Sequence, residues 1–331
     1  MKSSLLLSLS LLLFSINTLV AQSYNKLYPY LGKKRYGYVN AQFLNELPEL
    51  FSVAGDFHHG VAIVSEKPTG GLFPPFSGLI NSRGEFLLKC DYEKFSPFSQ
   101  GFATVKKGKE YGLVDTLGQI VMPFQFDDAG KYHDGLVPVR KGNYWGYSDA
   151  FGNIKIQYQF DDATPFDGNR AMVKHYNTWS MIDRTGRQIN AGQWEMSSGF
   201  SEGLAAVKFP SGDFGFVDST GRMVIPTIYE DVRPFVNGAA AVRVNGFWGF
   251  INRAGNQIVK PVYYEVQDFS EGFAAVDYRG KWGYVDASGR VVIPANYIEA
   301  APFANGAALV KDNRSTWFYL DSTGKVLFSF R

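Results

Sequence analysis

The 331 residues hold a single cysteine, Cys90. One thiol cannot close an internal disulfide, so packing alone must stabilise the fold. Cys90 has no metal- or nucleophile-type partners in its sequence neighbourhood, and a free Cys is most often a small, half-buried apolar residue. Histidine is almost as scarce: His58, His59, His133 and His175. A metal site needs three or four converging ligands, and the pair at His58 and His59 lacks a third, so no metal site and no cofactor are expected. His-Glu-x-x-His, Gly-x-Ser-x-Gly and Gly-x-x-x-x-Gly-Lys are missing, which removes the usual sequence grounds for a catalytic centre. Charge is sparse, at 19% of residues with a net +2. No Lys/Arg run makes the basic face of a nucleic-acid binder, so none is expected as a partner.

Long apolar runs are missing after the start of the chain. Lys2 precedes a Leu-rich stretch from Leu5 to Phe14, then a polar break, then Leu19-Val20-Ala21-Gln22. A basic start, a short apolar core and a small residue before the cut predict a secretory signal peptide over 1–21, cleaved after Ala21. The run is short for a membrane span, and no Cys lies near the cut to carry a lipid. The mature chain is expected to be soluble, without a membrane span, in the periplasm, at the cell surface or outside the cell.

What the chain has in excess is 35 Gly and 16% aromatic residues, the composition of short strands joined by tight turns. These residues repeat. Trp282-Gly283 recurs as Trp248-Gly249, Phe214-Gly215, Trp145-Gly146, Tyr111-Gly112 and Tyr36-Gly37, and less perfectly as Trp317-Phe318, Trp179-Ser180 and Ser77-Gly78. From Gly78 onward every step is 34 or 35 residues; the one longer gap, 41, precedes it and fits an insertion near Thr69–Pro75. Three residues after each pair stands Asp or Asn, as at Asp286, and from the second unit a Gly follows three further on, as at Gly289. A second block leads each unit, for example Phe269-Ser-Glu-Gly272-Phe-Ala274-Ala-Val276. An aromatic stands six residues before it: Tyr263 here, Trp194 in another copy.

The unit Phe-Ser-Glu-Gly-x-Ala-x-Val, then Lys-Trp-Gly-Tyr-Val-Asp-x-x-Gly and x-Val-Ile-Pro, resembles the bacterial WG-containing repeat. Eight clear copies over 55–331 and a degenerate first unit over 22–54, read as a cap, cover nearly the whole mature chain. The resemblance implies an all-β repeat protein without an established catalytic activity.

Each unit reads as three antiparallel strands: A (Ala-x-Val), B (Trp-Gly-Tyr-Val-Asp) and C (Val-Ile-Pro). Asp-x-x-Gly makes the B–C turn, with Asp accepting a backbone N–H and Gly taking positive φ. Pro123, Pro226 and Pro294 are expected to end strand C. The Gly after Trp is expected to clear space for an aromatic of the next unit. Two apolar faces force each sheet between its neighbours. A typical propeller blade has roughly 40 to 45 residues, and both end units are atypical. The favoured fold is therefore an open β-repeat solenoid, with an eight-bladed β-propeller as the alternative.

Repeated Asp with Gly suggests calcium, but one Asx per turn falls short of the six to eight oxygens needed, so a hydrogen-bonded turn is expected. The acidic column after the strand-C aromatic (Glu93, Asp127, Asp161, Glu195, Glu230) recurs too often to be a catalytic pair and reads as solvated charge. Aromatics outside the columns are Tyr144, Phe247 and Tyr278, all at the A–B turn. Variable loop ends on a rigid array are where binding resides, so this edge is the candidate contact for a ligand. The expectation is an exported, non-enzymatic binding module for a protein or glycan. A carbohydrate-active enzyme and a structural spacer at the surface are the alternatives.

Overall fold

The computed structural model describes residues 26–66, 76–210 and 212–330. The expected signal peptide and the insertion near Thr69–Pro75 lie outside them. Among the described residues the chain forms nine consecutive antiparallel sheets, one of three strands and eight of four. Blade 1 comprises Tyr28–Leu31, Tyr36–Val39 and Asn45–Phe51. Blades 2 to 9 follow over 53–92, 94–126, 128–160, 162–194, 196–229, 231–263, 265–297 and 299–330. Blade 8 serves as the type: an inner strand Glu265–Val266, strand A Phe273–Asp277, strand B Trp282–Asp286 and strand C Val291–Tyr297.

The array is closed, which corrects the open solenoid, and it has nine blades rather than eight. Blade 9 packs against blade 1: Tyr28, Tyr30 and Val39 share one buried cluster with Ala307 and Tyr319. The Tyr319 hydroxyl donates to the carbonyl of Pro29 at 2.6 Å, and the Tyr28 hydroxyl donates to that of Asn305 at 2.8 Å. Phe43 stacks on Phe328 at 5.4 Å. The end units depart from the repeat because they meet each other, not because they face water. The length argument failed because the fourth strand is only two residues long in every four-stranded blade but the sixth, as at Glu265–Val266. A pair of residues carries no alternation to read.

Five of the blade junctions share one recurring aromatic contact. The residue two after each Trp-type position is fully buried, as Tyr38, Tyr147, Phe216, Phe250 and Tyr284 show. Each meets, edge to face, the Phe that opens the next blade's lead block, with centroids 4.8 to 5.0 Å apart. Such pairs add about 0.5–1.5 kcal/mol to plain burial.

Two local readings change. Trp282 pairs with Tyr297 and Tyr284 with Ile293, so strand C bulges between these rungs. A Cβ on Gly283 would lie 2.5 Å from the Ile293 carbonyl oxygen and 2.7 Å from the Ala295 nitrogen. The glycine therefore clears its own blade's bulge and not an aromatic of the next unit. Pro294 sits inside that bulge and inside strand C, where an irregular ladder tolerates a missing donor.

Candidate functional site

Because the blades repeat one antiparallel path, all A–B turns leave one face of the ring. The lead-block turns and the Asp-x-x-Gly turns leave the other. The second face is a scaffold. In seven blades the lead-block turn has positive φ at two successive residues, such as Glu271 and Gly272, as a type I′ turn requires. Its side chains reach the neighbouring blade. Carboxylates of Asp134, Asp167, Glu202 and Glu271 accept the backbone N–H of Gly168, Gly203, Gly238 and Gly306 at 2.5 to 3.0 Å. Ser201 and Ser270 donate to the carbonyls of Phe235 and Phe303. His133, in the serine's place, bonds Phe166 through Nδ1 at 2.9 Å. Residues that looked like a loose mixture of polar types form a girdle of inter-blade hydrogen bonds.

His133, Asp134 and Asp167 are close enough to hold a cation. Asp134 and Asp167, however, already accept backbone N–H bonds from Gly168 and Gly203. A cation there would compete with the girdle. The B–C turns are built as read: Asp286 Oδ1 accepts from the backbone of Ser288 and Arg290 at 3.0 and 3.1 Å, and Gly289 has φ +81°. The Ser288 hydroxyl, aided by these N–H groups and the Arg290 side chain, holds the Asp286 carboxyl down at about 2.

The opposite face differs from blade to blade. The acidic column is not merely solvated: Asp127, Asp161 and Glu230 accept the N–H of Gly142, Tyr176 and Gly246 and brace the A–B turns. Above this frame stand the three sequence-predicted aromatics, exposed by 50% (Tyr144), 37% (Phe247) and 44% (Tyr278). Phe247 and Tyr278 both lie at the junction of blades 7 and 8, each against a different one of the successive residues Tyr263 and Tyr264. Phe247 stacks on Tyr264 at 5.8 Å, Tyr278 meets Tyr263 at 6.3 Å, and the Arg279 guanidinium lies 5.2 Å from the Tyr278 ring centre. Tyr144 shares the face but belongs to blade 4 and stays apart. On this face two exposed aromatics were missed, Tyr176 and Tyr264. Tyr264 was legible as the one aromatic in the acidic column, and Tyr176 as another off-column aromatic at an A–B turn.

Cys90 is half-buried, with its thiol pushed up to about 11 by burial. Trp194 is buried and pairs with Trp179 across strands B and C of blade 5.

The WG containing repeat model matches seven times, over 78–111, 111–145, 145–179, 179–209, 214–246, 248–282 and 282–314. The chain belongs to the WG-repeat family. No curated protein matches this WG-repeat chain. Among solved structures it is similar to a eukaryotic initiation factor at 12% identity and a TM-score of 0.63, covering 92% of this chain and 95% of that one. At that identity the likeness concerns the fold alone. Weaker likenesses, on which nothing rests, include the computationally designed Ika8 protein (11% identity, TM-score 0.47, 92% and 95% covered) and BamB from Moraxella catarrhalis (12%, 0.45, 91% and 95%).

Proposed function

We propose that this WG-repeat propeller is an exported, non-enzymatic interaction module that binds a partner protein through its A–B turn face. The observation that carries the reading is the set of exposed aromatics at the blade 7–8 junction, Phe247 stacked on Tyr264 and Tyr278 beside Arg279. Aromatic and Arg side chains dominate protein-binding hot spots. Two of these rings spend their stacking on each other in the open rather than in the core. The non-enzymatic reading is supported by the duties of the recurrent acids and of His133, which brace turns and join blades.

The test is a pull-down of envelope proteins by the mature chain, run beside Phe247→Ser/Tyr278→Ser and a glycan array. Retention of one protein by the wild type and its loss in the double variant is the expected result. Retention unaffected by the double variant would remove the aromatic cluster from the interface. Glycan binding with no protein retained would replace the protein partner.

A further inference from the structure

The turns between strands A and B carry charge unevenly around the ring. In blades 4 to 7 these turns, over 142–143, 176–177, 209–213 and 245–246, contain no Lys or Arg. Blade 1 has Lys33, Lys34 and Arg35 in its turn, blade 3 has Lys109, blade 8 has Arg279 and blade 9 has Arg314, all exposed. The turn of blade 2 lies outside the described residues. Ring closure joins these cations into one arc. Blade 9 packs on blade 1, so turns from opposite ends of the chain follow one another on the same face. Lys281, half-buried, reaches Asn313 and ties the turns of blades 8 and 9 together.

Among the described residues none of the six exposed cations belongs to an ion pair. Within the four turns the one carboxylate is Asp312, which accepts the backbone N–H of Arg314 and Thr316. Beside them, Glu49 accepts the N–H of Lys33 and Asp277 that of Gly280. Blades 4 and 7 show the reverse pattern, since cations at their strand ends are matched. Lys141 meets Asp127 at 3.5 Å, Arg140 meets Asp128 at 3.6 Å and Arg243 meets Glu230 at 4.0 Å. Exposed aromatics flank the arc at both ends: Phe247, Tyr264 and Tyr278 at the blade 7–8 junction, and Tyr144 on blade 4, next to blade 3. Tyr278 joins the two kinds of surface, because the Arg279 guanidinium lies 5.2 Å from its ring centre.

We propose that the A–B turns of blades 8, 9, 1 and 3 form a basic arc that takes an acidic, aromatic-bearing segment of the partner protein. The inference rests on the protein-binding reading above and gives that partner its charge. Charge complementarity carries it. Cations without carboxylate partners, gathered on one side of a face, raise a positive potential that steers an anionic segment there and fixes its register. A segment fits better than a small anion, because the cations are spread over the turns of four blades. Its aromatic side chain settles on the rings at the end of the arc, where Tyr and Arg are the residue types that anchor protein interfaces.

The probe is fluorescein-labelled Asp-Glu-Asp-Phe-Glu-Asp-Glu, titrated by anisotropy against the chain used for the pull-down. Saturable binding is expected, weakening about tenfold in Lys34→Glu/Arg279→Glu/Arg314→Glu and about fivefold when NaCl rises from about 50 to about 500 mM. Lys131→Glu/Arg222→Glu/Lys325→Glu makes the same change of charge on the opposite face and should alter binding less than about twofold. Unchanged circular dichroism spectra confirm that both triple variants fold. No saturable binding, or equal weakening by the two triple variants, overturns the arc. Equal affinity for Asn-Gln-Asn-Phe-Gln-Asn-Gln overturns the acidic partner. Tighter binding of polygalacturonate than of the peptide would make an anionic glycan the ligand and overturn the protein segment. A protein retained in the pull-down equally by the wild type and by Lys34→Glu/Arg279→Glu/Arg314→Glu would overturn the acidic segment while the protein-binding reading stood.

Discussion

Tyr284 of blade 8 lies edge-on to Phe303 of blade 9, ring centres 5.0 Å apart, while its hydroxyl donates to the Ala301 carbonyl at 2.7 Å. One side chain thus ties two blades by packing and by a hydrogen bond. Tyr38 and Tyr147 do the same with Phe57 and Gly55, and with Phe166 and Thr164. Tyr284→Phe keeps the ring and leaves the carbonyl without its donor, a loss of about 1 kcal/mol. Phe303→Ala opens a cavity at a fully buried position and should cost about 3–5 kcal/mol. Urea unfolding of the two variants should rank them in that order.

Closure predicts cooperativity across the whole ring. Deleting blade 9, residues 298–331, strips blade 1 of Tyr319, Phe328 and Phe330 and leaves two open flanks. The truncated chain should lose its native near-ultraviolet circular dichroism and aggregate. An open array would instead keep a melting transition reduced in proportion to its length. The measurement is a thermal scan of both chains.

Gly283→Ala places a methyl against the backbone of the strand-C bulge. Backbone cannot swing aside as a side-chain tip can, so destabilisation of about 1–3 kcal/mol is expected. Gly280→Ala provides the control for space, because a Cβ there meets nothing within 4 Å, although its φ of +82° still carries strain. The chemical-denaturation midpoint should fall further for Gly283→Ala.

Acid should loosen the B–C turns. Hydrogen bonds from Ser288 and Thr185, with the turn N–H groups, hold Asp286 and Asp183 at about 2. Asp149 reaches about 2 because bonds from Asn153 and its neighbours outweigh its partial burial. These folded values lie below the unfolded one of about 3.9. Their stabilisation is therefore complete above pH 4 and lost as pH falls from 4 towards 2. The melting temperature should drop across that window, and less so in Asp183→Asn/Asp286→Asn, which starts lower.

Asp56 has the opposite sign. Its carboxyl, raised by burial in the surrounding protein, favours the folded state only while protonated, and above its folded pKa the ionised group opposes folding. Asp56→Asn should raise the melting temperature at pH 7, with the gain shrinking as pH falls through the raised folded value and vanishing below the unfolded value of about 3.9. A lower melting temperature at pH 7 would show that the carboxylate is a stabilising partner after all.

The aromatic face is expected to be dispensable for folding. Phe247→Ser and Tyr278→Ser remove exposed rings, so stability should change by no more than about 0.5 kcal/mol each. Differential scanning calorimetry checks this, and it separates loss of partner retention from loss of fold.

The linear sequence by itself determined the repeat, its three long strands, the Asp-x-x-Gly turns and the aromatics that stand outside the columns. Those features are local: alternation, turn chemistry and spacing act within about ten residues, and each is written once per unit. Closure, blade number and the inner strand belonged to the tertiary structure. Small rotations between successive blades add up over nine units, and no single unit encodes their sum. The meeting of Tyr28 with Asn305 and of Pro29 with Tyr319 spans 277 and 290 residues of chain. The grouping of Phe247 with Tyr278 through Tyr263 and Tyr264 was likewise decided by the packing of blade 7 on blade 8, because only that packing brings the two turns side by side.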